Sequence, residues 1–298
     1  MTEHRKTGHL ITEKINPRTA DLDRCSSTEI VELILNEDRT IADAIEKERS
    51  NIAAAVDLMV RKLGKGGRIF FAGAGTSGRL GVMEAAECPP TFGTDPGLIQ
   101  AIIAGGKGAV WQSVEGAEDS GEDAVLALSE AGLSSEDVLI GIAASATTPY
   151  VQSALKFAQE VGSGRILVTC NPVPEASADV VISLLVGPEA LVGSTRMKAG
   201  TVTKMVLNML TTASMVQLGK TYGNLMVDVQ PRSSKLRDRA QRIVMHIGKV
   251  DERTALELLD KSEWDVKSAV VMAVKCISFD EARELLAESK GFLRKALG

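Results

Sequence analysis

Histidine is almost missing from this chain, with three in 298 residues. His4 and His9 sit in a polar N-terminal stretch and His246 stands alone, so imidazole-based metal chemistry has little material. Carboxylate-only sites stay open on composition. The four cysteines, Cys25, Cys88, Cys170 and Cys276, lie far apart and form no C-x-x-C pair. That excludes a disulfide framework and predicts a reduced, cytoplasmic protein. There is no run of about 18 apolar residues, and the charged N-terminus is not a signal peptide. Neither membrane spanning nor export by that route is expected. Positive charge is not in excess either: the formal net charge is −5, so no nucleic-acid partner is expected.

What is present is aliphatic. Hydrophobic residues make up 44% of the chain and aromatic ones 3%, a balance typical of helices packed on a parallel sheet. Residues 1–26 are polar and rich in turns. Ser27 then reads as the cap of a helix, and a second helical run extends to about Leu63. Five apolar runs follow, RIFFA (68–72), LIQAIIA (98–104), VLIGIA (138–143), RILVTC (165–170) and DVVISLLV (179–186), separated by helical patterns. This alternation predicts βαβ units and a five-stranded parallel sheet. The stretch 196–219 is apolar on most faces and reads as a helix buried against the sheet or a second subunit. Its methionines, at 197, 205, 209 and 215, read as packing rather than as a metal box.

The C-terminal segment repeats itself. ALELLDKSEWDVKSAV (255–270) and ARELLAESKGFLRKAL (282–297) align without gaps at a spacing of 27. Each copy predicts a short helical hairpin that cannot bury its own face, so the pair should pack into a small bundle. The expected organisation is a tail with helices (1–50), an α/β domain (51–248) and a helical subdomain (249–298).

The first strand runs into GAGTSG, with glycines at 73, 75 and 78. A strand, a glycine loop and a helix starting near Ser77 make an anion site of free N–H groups and helix dipole. A dinucleotide would also require an acid closing the second strand, and that strand closes as AIIAGG. The hydroxyls of Thr76 and Ser77 suit sugar or phosphate oxygens instead. Alternatively, the glycines only let strand and helix approach closely. The third strand ends in a second such loop, with Ser145, Thr147 and Thr148 before Pro149 at a helix start. Alone, such hydroxyls read as helix caps. Two such loops at the carboxyl ends of parallel strands read as one cleft. GSTRMKAGT (193–201) adds Ser194, Thr195, Arg196 and Lys198, the last two as candidates for a carboxylate or phosphate or as a solvated basic helix end.

Two groups of acids stand out. Glu84 and Glu87 lie one turn apart on the helix after the glycine loop, which Pro89 and Pro90 are expected to end. Glu87, between Ala86 and Cys88, has little charged company, which suits a carboxyl that holds its proton. Glu115, Glu118 and Asp119 crowd before a helix starting near Asp119 or Ser120, where acids also complement a helix dipole.

Taken together, GAGTSGRLG, EAAECPPTFG, VEGAEDS, GIAAS-x-x-TPY, CNP, VGSTRMKAGT and GNLMVDV closely resemble the N-acetylmuramic acid 6-phosphate etherases, which are built on the sugar isomerase (SIS) fold. The resemblance runs nearly end to end and includes a C-terminal region similar to a ubiquitin-associated domain. It implies cleavage of the D-lactyl ether of N-acetylmuramic acid 6-phosphate, to N-acetylglucosamine 6-phosphate and D-lactate in peptidoglycan recycling, by a homodimer without metal or organic cofactor. It also implies Glu87 and Glu118 as the catalytic acids, Ser145 and Thr148 at the phosphate, and Thr76 and Ser77 at sugar oxygens. One departure stands out: where the family reads AASGRTPY, this chain has Ala146 and Thr147 in place of glycine and arginine. Two other readings share the motifs. A non-catalytic phosphosugar sensor, as in the similar glucokinase regulatory protein, needs neither glutamate. A phosphosugar aldose–ketose isomerase needs no acid at carbon 3.

Overall fold

The computed structural model describes residues 8–173 and 178–298. They gather into two compact units, one of residues up to Ala85 with Gly97–Thr211, the other of Ala86–Pro96 with Thr212–Gly298.

The first unit opens with helices α1 (Ser27–Asp38), α2 (Ile41–Lys47) and α3 (Arg49–Leu63). The cap of α1 is Ser26, one residue before the expected Ser27. The reason is Glu29, whose carboxylate accepts the Ser26 N–H at 2.7 Å while the Ser26 hydroxyl accepts the Glu29 N–H at 3.4 Å. That reciprocal box satisfies two donors at once and fixes the start. The chain continues through β1 (Ile69–Gly73), α4 (Gly75–Phe92), β2 (Ile99–Ile103), α5 (Gly121–Glu130), β3 (Val138–Ile142), α6 (Pro149–Val161), β4 (Gly164–Thr169), β5 (Val180–Ser183) and α7 (Lys198–Gln217).

All five apolar runs become strands of one parallel sheet in the order β2-β1-β3-β4-β5. β1 and β3 are buried along their whole length, as central strands covered on both faces must be. Phe70, Ala72, Leu139 and Leu167 pack with Leu128 of α5 and with Tyr150, Val151, Ala154 and Leu155 of α6. α3 lies against β3, β4 and β5 on the sheet's other face. The winding reverses between β1 and β3, and at that point in an open parallel sheet the connecting loops diverge and leave a crevice.

The double proline does not end α4, which runs through Pro89 and Pro90 to Phe92. Proline removes a donor but keeps its carbonyl, and the Pro89 carbonyl accepts the Gly93 N–H at 3.0 Å. Gly93, at φ +61°, makes the actual stop. α7 is less buried than its composition predicts. Val202, Val206, Leu207, Leu210 and Met215 are enclosed, but Met205 and Met209 are 37% and 38% exposed.

The second unit holds α8 (Ser234–Gly248), α9 (Glu252–Lys261), α10 (Val266–Lys275), α11 (Phe279–Glu288) and α12 (Leu293–Leu297). Ala240, Ile243 and Val244 of α8 share one core with Leu259, Val266, Ala269 and Val270 and with Ala282, Leu286, Leu293 and Ala296. The sequence reading places α8 with the sheet, yet its apolar side is part of this bundle. The repeat is visible atom by atom. Trp264 donates its N–H to the Leu259 carbonyl at 2.8 Å, and Gly291, 27 residues on, donates to Leu286 at 2.8 Å. Both turns pass through two successive left-handed residues, Glu263 and Trp264 in one copy, Lys290 and Gly291 in the other.

Candidate active site

The glycine loop combines close packing with a turn. A Cβ on Gly73 would lie 2.7 Å from the Gly78 nitrogen, and one on Gly78 would lie 2.5 Å from Ile103 Cγ1. These two glycines therefore let α4 dock on the sheet. Gly75, at φ +53° with open space around it, serves the turn. Thr76 and Ser77 follow, half-buried in the first turn of α4, where unpaired N–H groups and the helix dipole favour an anion.

The loop after β3 is held open by its own hydroxyls. Ser145 Oγ accepts the Thr147 N–H at 3.1 Å and the Thr147 hydroxyl at 3.2 Å, and it lies 3.4 Å from Thr148 Oγ1. Thr148 is the N-cap of α6, yet its side chain makes no capping bond, and Pro149 fills the first helical position as expected. The hydroxyls are thus not spent on capping. Asn171, in the CNP motif and fully buried, anchors the loop by donating to the Ala144 carbonyl at 2.8 Å.

The first turn of α7 meets the first turn of α4. A Cβ on Gly200 would stand 3.3 Å from Thr76 Cγ2 and 3.4 Å from the Thr195 carbonyl. The N-terminus of α7 is closed by Glu189, a buried carboxylate nine residues upstream that accepts the N–H groups of Lys198 at 3.0 Å and Ala199 at 2.9 Å. Burial pushes its pKa up against those two bonds. Ser194 and Thr195 are half-buried and Arg196 is exposed. Lys198 is not a free cation: it is 1% exposed and pairs with Glu37 at 2.5 Å. Arg18 binds the same carboxylate through Nε at 2.5 Å and through its second nitrogen at 2.9 Å. The Arg18 guanidinium, against the pull of burial and with help from the Lys198 ammonium, holds the Glu37 pKa down at about 2. The expectation that Lys198 binds substrate is therefore corrected, since its charge is spent inside the protein.

Neither of the two acids is secluded, which for Glu87 departs from expectation. Glu118 lies in a short 3-10 turn, Ala117–Asp119, after Gly116 at φ +74°, and its side chain is exposed. Ser120 caps α5 and accepts the Asp123 N–H at 3.3 Å, so Glu118 stands outside the helix and does not complement it from within. Glu87, on the part of α4 grouped with the second unit, is exposed as well. Isolation from charge in sequence is not burial in space. The secluded carboxylate is Glu84, 4% exposed, which accepts from Asn208 Nδ2 at 2.6 Å and from the Thr211 hydroxyl. The supporting roles of Glu84, Glu189 and Asn171 are not legible in the sequence, because the partners of Glu84 and Asn171 lie more than 25 residues away and Glu189 acts on a helix start that only the fold defines. At the end of β4, burial pushes the Cys170 thiol up to about 12, which leaves it protonated. Among the described residues no group of three His, Cys, Asp or Glu side chains is placed to hold a metal ion. No described helix is long and apolar enough to cross a membrane.

The sheet order, with two hydroxyl-bearing loops at its reversal point, defines a doubly wound α/β protein, and the family match gives it the sugar isomerase fold. Residues 51–159 match the family model of the glucokinase regulatory protein N-terminal SIS domain. An N-acetylmuramic acid 6-phosphate etherase of Trichodesmium erythraeum is 49% identical over 299 residues, covering 100% of this chain and 97% of that protein. Relatives of the same name from Geobacillus thermodenitrificans (47% identical, covering 97% of this chain and 99% of theirs) and a Picosynechococcus species (49%, 100% and 99%) agree. The chain belongs to the N-acetylmuramic acid 6-phosphate etherase family. A solved phosphoheptose isomerase of Neisseria gonorrhoeae is 18% identical, covers 62% of this chain and 98% of its own, and overlays with a TM-score of 0.47.

Proposed function

We propose that this chain cleaves the D-lactyl ether of N-acetylmuramic acid 6-phosphate, releasing D-lactate and N-acetylglucosamine 6-phosphate in the recycling of cell-wall peptidoglycan. The observation that carries this is identity of nearly one residue in two, end to end, to relatives of that name. The loops support it, because helix-start N–H groups with Thr76, Ser77, Ser145 and Thr148 suit a phosphosugar. Thr147, Ser194, Thr195 and Arg196 line the same loops, and Arg196 suits the lactyl carboxylate.

An alkyl ether resists direct displacement near neutral pH because an alkoxide would have to leave. The open-chain sugar offers an easier route. Its aldehyde acidifies the hydrogen on carbon 2. Glu118, as base, takes that proton, and the electron pair forms the carbon 2–carbon 3 double bond. The lactyl oxygen leaves carbon 3 with a proton from Glu87. Water then adds at carbon 3 and carbon 2 regains a proton, so both carboxyls return to their starting states. Two carboxyls in opposite protonation states suffice, each worth about 10²–10⁴-fold. Both are exposed in the single chain, where a bound substrate can reach them. The exposed Met205 and Met209 of α7 support a homodimer, and the reduced-cysteine composition supports a cytoplasmic location.

The test is D-lactate release in water labelled with heavy oxygen by wild type, Glu87→Ala and Glu118→Ala. Unlabelled lactate, a sugar labelled at carbon 3 and loss of net turnover in either variant are expected. Binding of the phosphosugar without lactate would make the chain a sensor and overturn the proposal.

A further inference from the structure

The N-terminal stretch is pinned across the same loops. Ile11 donates its N–H to Asn171 Oδ1 at 2.6 Å, and the Asn171 amide donates to Thr12 Oγ1 at 3.0 Å as well as to the Ala144 carbonyl. Residues 11 and 12 are thereby tied to the end of β3, directly before Ser145. Farther along, the Thr19 hydroxyl donates to the Ala190 carbonyl at 2.8 Å and the Asn16 amide reaches the Pro188 carbonyl at 3.4 Å. Those carbonyls precede the segment that carries Ser194 and Thr195. Thr12, Asn16 and Thr19 are buried.

Between these pins lies Glu13. Its Oε2 is 3.1 Å from where a Cβ on Gly193 would stand, and Gly193 itself has φ +74°. A side chain there would strain the backbone and push on the carboxylate. Glu13 is half-buried; its N–H donates to the Leu10 carbonyl at 3.1 Å, whereas its carboxylate makes no hydrogen bond or ion pair among the described residues. The pins on either side fix the backbone that carries this acceptor, and no described residue donates to it.

We propose that Glu13 is a specificity-determining residue that accepts a hydrogen bond from a neutral donor of the bound sugar, a hydroxyl or the acetamido N–H. This rests on the phosphosugar reading above. An ionised carboxylate only accepts, and one that loses water beneath a ligand needs a donor from that ligand. It repels a second anion, so Glu13 faces the sugar rather than its phosphate or lactyl carboxylate. The resulting division of labour puts hydroxyls and N–H groups on the phosphate and the carboxylate on the sugar.

The experiment compares wild type, Glu13→Gln and Glu13→Ala by calorimetric binding of N-acetylglucosamine 6-phosphate and of inorganic phosphate, with D-lactate release and thermal midpoints alongside. Glu13→Ala is expected to weaken the sugar phosphate roughly tenfold or more. KM should rise in step, with kcat, phosphate binding and thermal midpoint nearly unchanged. Glu13→Gln, whose amide oxygen still accepts, should fall between. Equal sugar-phosphate affinity in all three proteins overturns the inference, as does a loss that extends equally to inorganic phosphate. If wild type binds the sugar phosphate but releases no lactate, the etherase reading falls while the binding series still decides Glu13. If wild type does not bind it at all, both fall.

Discussion

The side-chain amide of Gln152 donates to the carbonyl of Ala146 at 2.6 Å, and so secures a residue whose φ of +62° lies in the left-handed region. An L-residue there costs about 1–2 kcal/mol, which glycine avoids. Glycine gives back part of that gain through greater freedom in the unfolded chain, about 0.4–1 kcal/mol. Ala146→Gly is therefore expected to stabilise the protein by about 0.5–1 kcal/mol, seen as a rise of roughly 1–3 °C in thermal midpoint. A midpoint that falls would mean the loop is not strained at Ala146.

Thr147 raises a separate question, because the related loops carry arginine at that position. A guanidinium at the start of α6 would meet a phosphate through charge-assisted bonds that a threonine hydroxyl cannot match. The double variant Ala146→Gly, Thr147→Arg is expected to tighten binding of N-acetylglucosamine 6-phosphate by roughly tenfold. Unchanged affinity would show that the hydroxyls and helix N–H groups already satisfy the phosphate.

Much of this architecture is legible along the chain, and what is not has a common cause. The five strands are visible because each is a short apolar run closed by a loop, and Pro149 marks the start of α6 because its ring suits a first helical turn. The 27-residue repeat is visible because the same hairpin uses the same residues twice. What is hidden depends on partners far away in sequence. Lys198 looks like a ligand-binding cation until Glu37, 161 residues distant, takes its charge at 2.5 Å. Glu87 looks secluded because its sequence neighbours are uncharged, while Glu84, one turn earlier, is the carboxylate that α7 encloses through Asn208 and Thr211. Glu13 looks like one more polar residue in a tail, since only Asn171 and Gly193 show where the tail runs.

The Glu37 cluster predicts an acid limb in stability. The native carboxyl is held at about 2 against an ordinary 4.5, so its contribution is complete above the ordinary value and is lost as pH falls towards the native one. The difference is worth about 3 kcal/mol. Denaturant midpoints measured from pH 6 to pH 2.5 should fall in wild type and fall less in Glu37→Gln. At pH 7 that variant should already be weaker by about 3–5 kcal/mol, because it leaves the Lys198 ammonium buried without its counter-charge. Parallel pH profiles for the two proteins would refute the assignment.

Gly93 closes the ECPPTFG motif for two reasons that act together. Its φ is +61°, and a Cβ would stand 2.5 Å from the Asp228 carbonyl. Asp228 has little room to yield, since its carboxylate is held by Lys220 at 3.0 Å and Lys267 at 2.8 Å. Gly93→Ala therefore has to shift backbone, and the expected cost is about 2–4 kcal/mol by denaturant midpoint. A loss below about 1 kcal/mol would show that the turn relaxes around the methyl.

The two helical hairpins of the C-terminal bundle offer an internal control on backbone strain. Position 264 carries tryptophan at φ +64° and its counterpart 291 carries glycine at φ +77°. A Cβ on Gly291 would meet only the Lys267 ammonium at 3.9 Å, so Gly291→Ala exposes the left-handed cost of about 1–2 kcal/mol less about 0.4–1 kcal/mol gained in the unfolded chain, a net loss of about 0.5–1 kcal/mol. Trp264 bears the same backbone cost but stacks beneath Arg237 at 4.8 Å and packs against the shared core. Trp264→Gly relieves the strain and loses more, because a half-buried indole with its cation contact is worth about 2–3 kcal/mol. Both substitutions should therefore destabilise, for opposite reasons. A stabilised Trp264→Gly would mean that the aromatic packing contributes less than the turn costs.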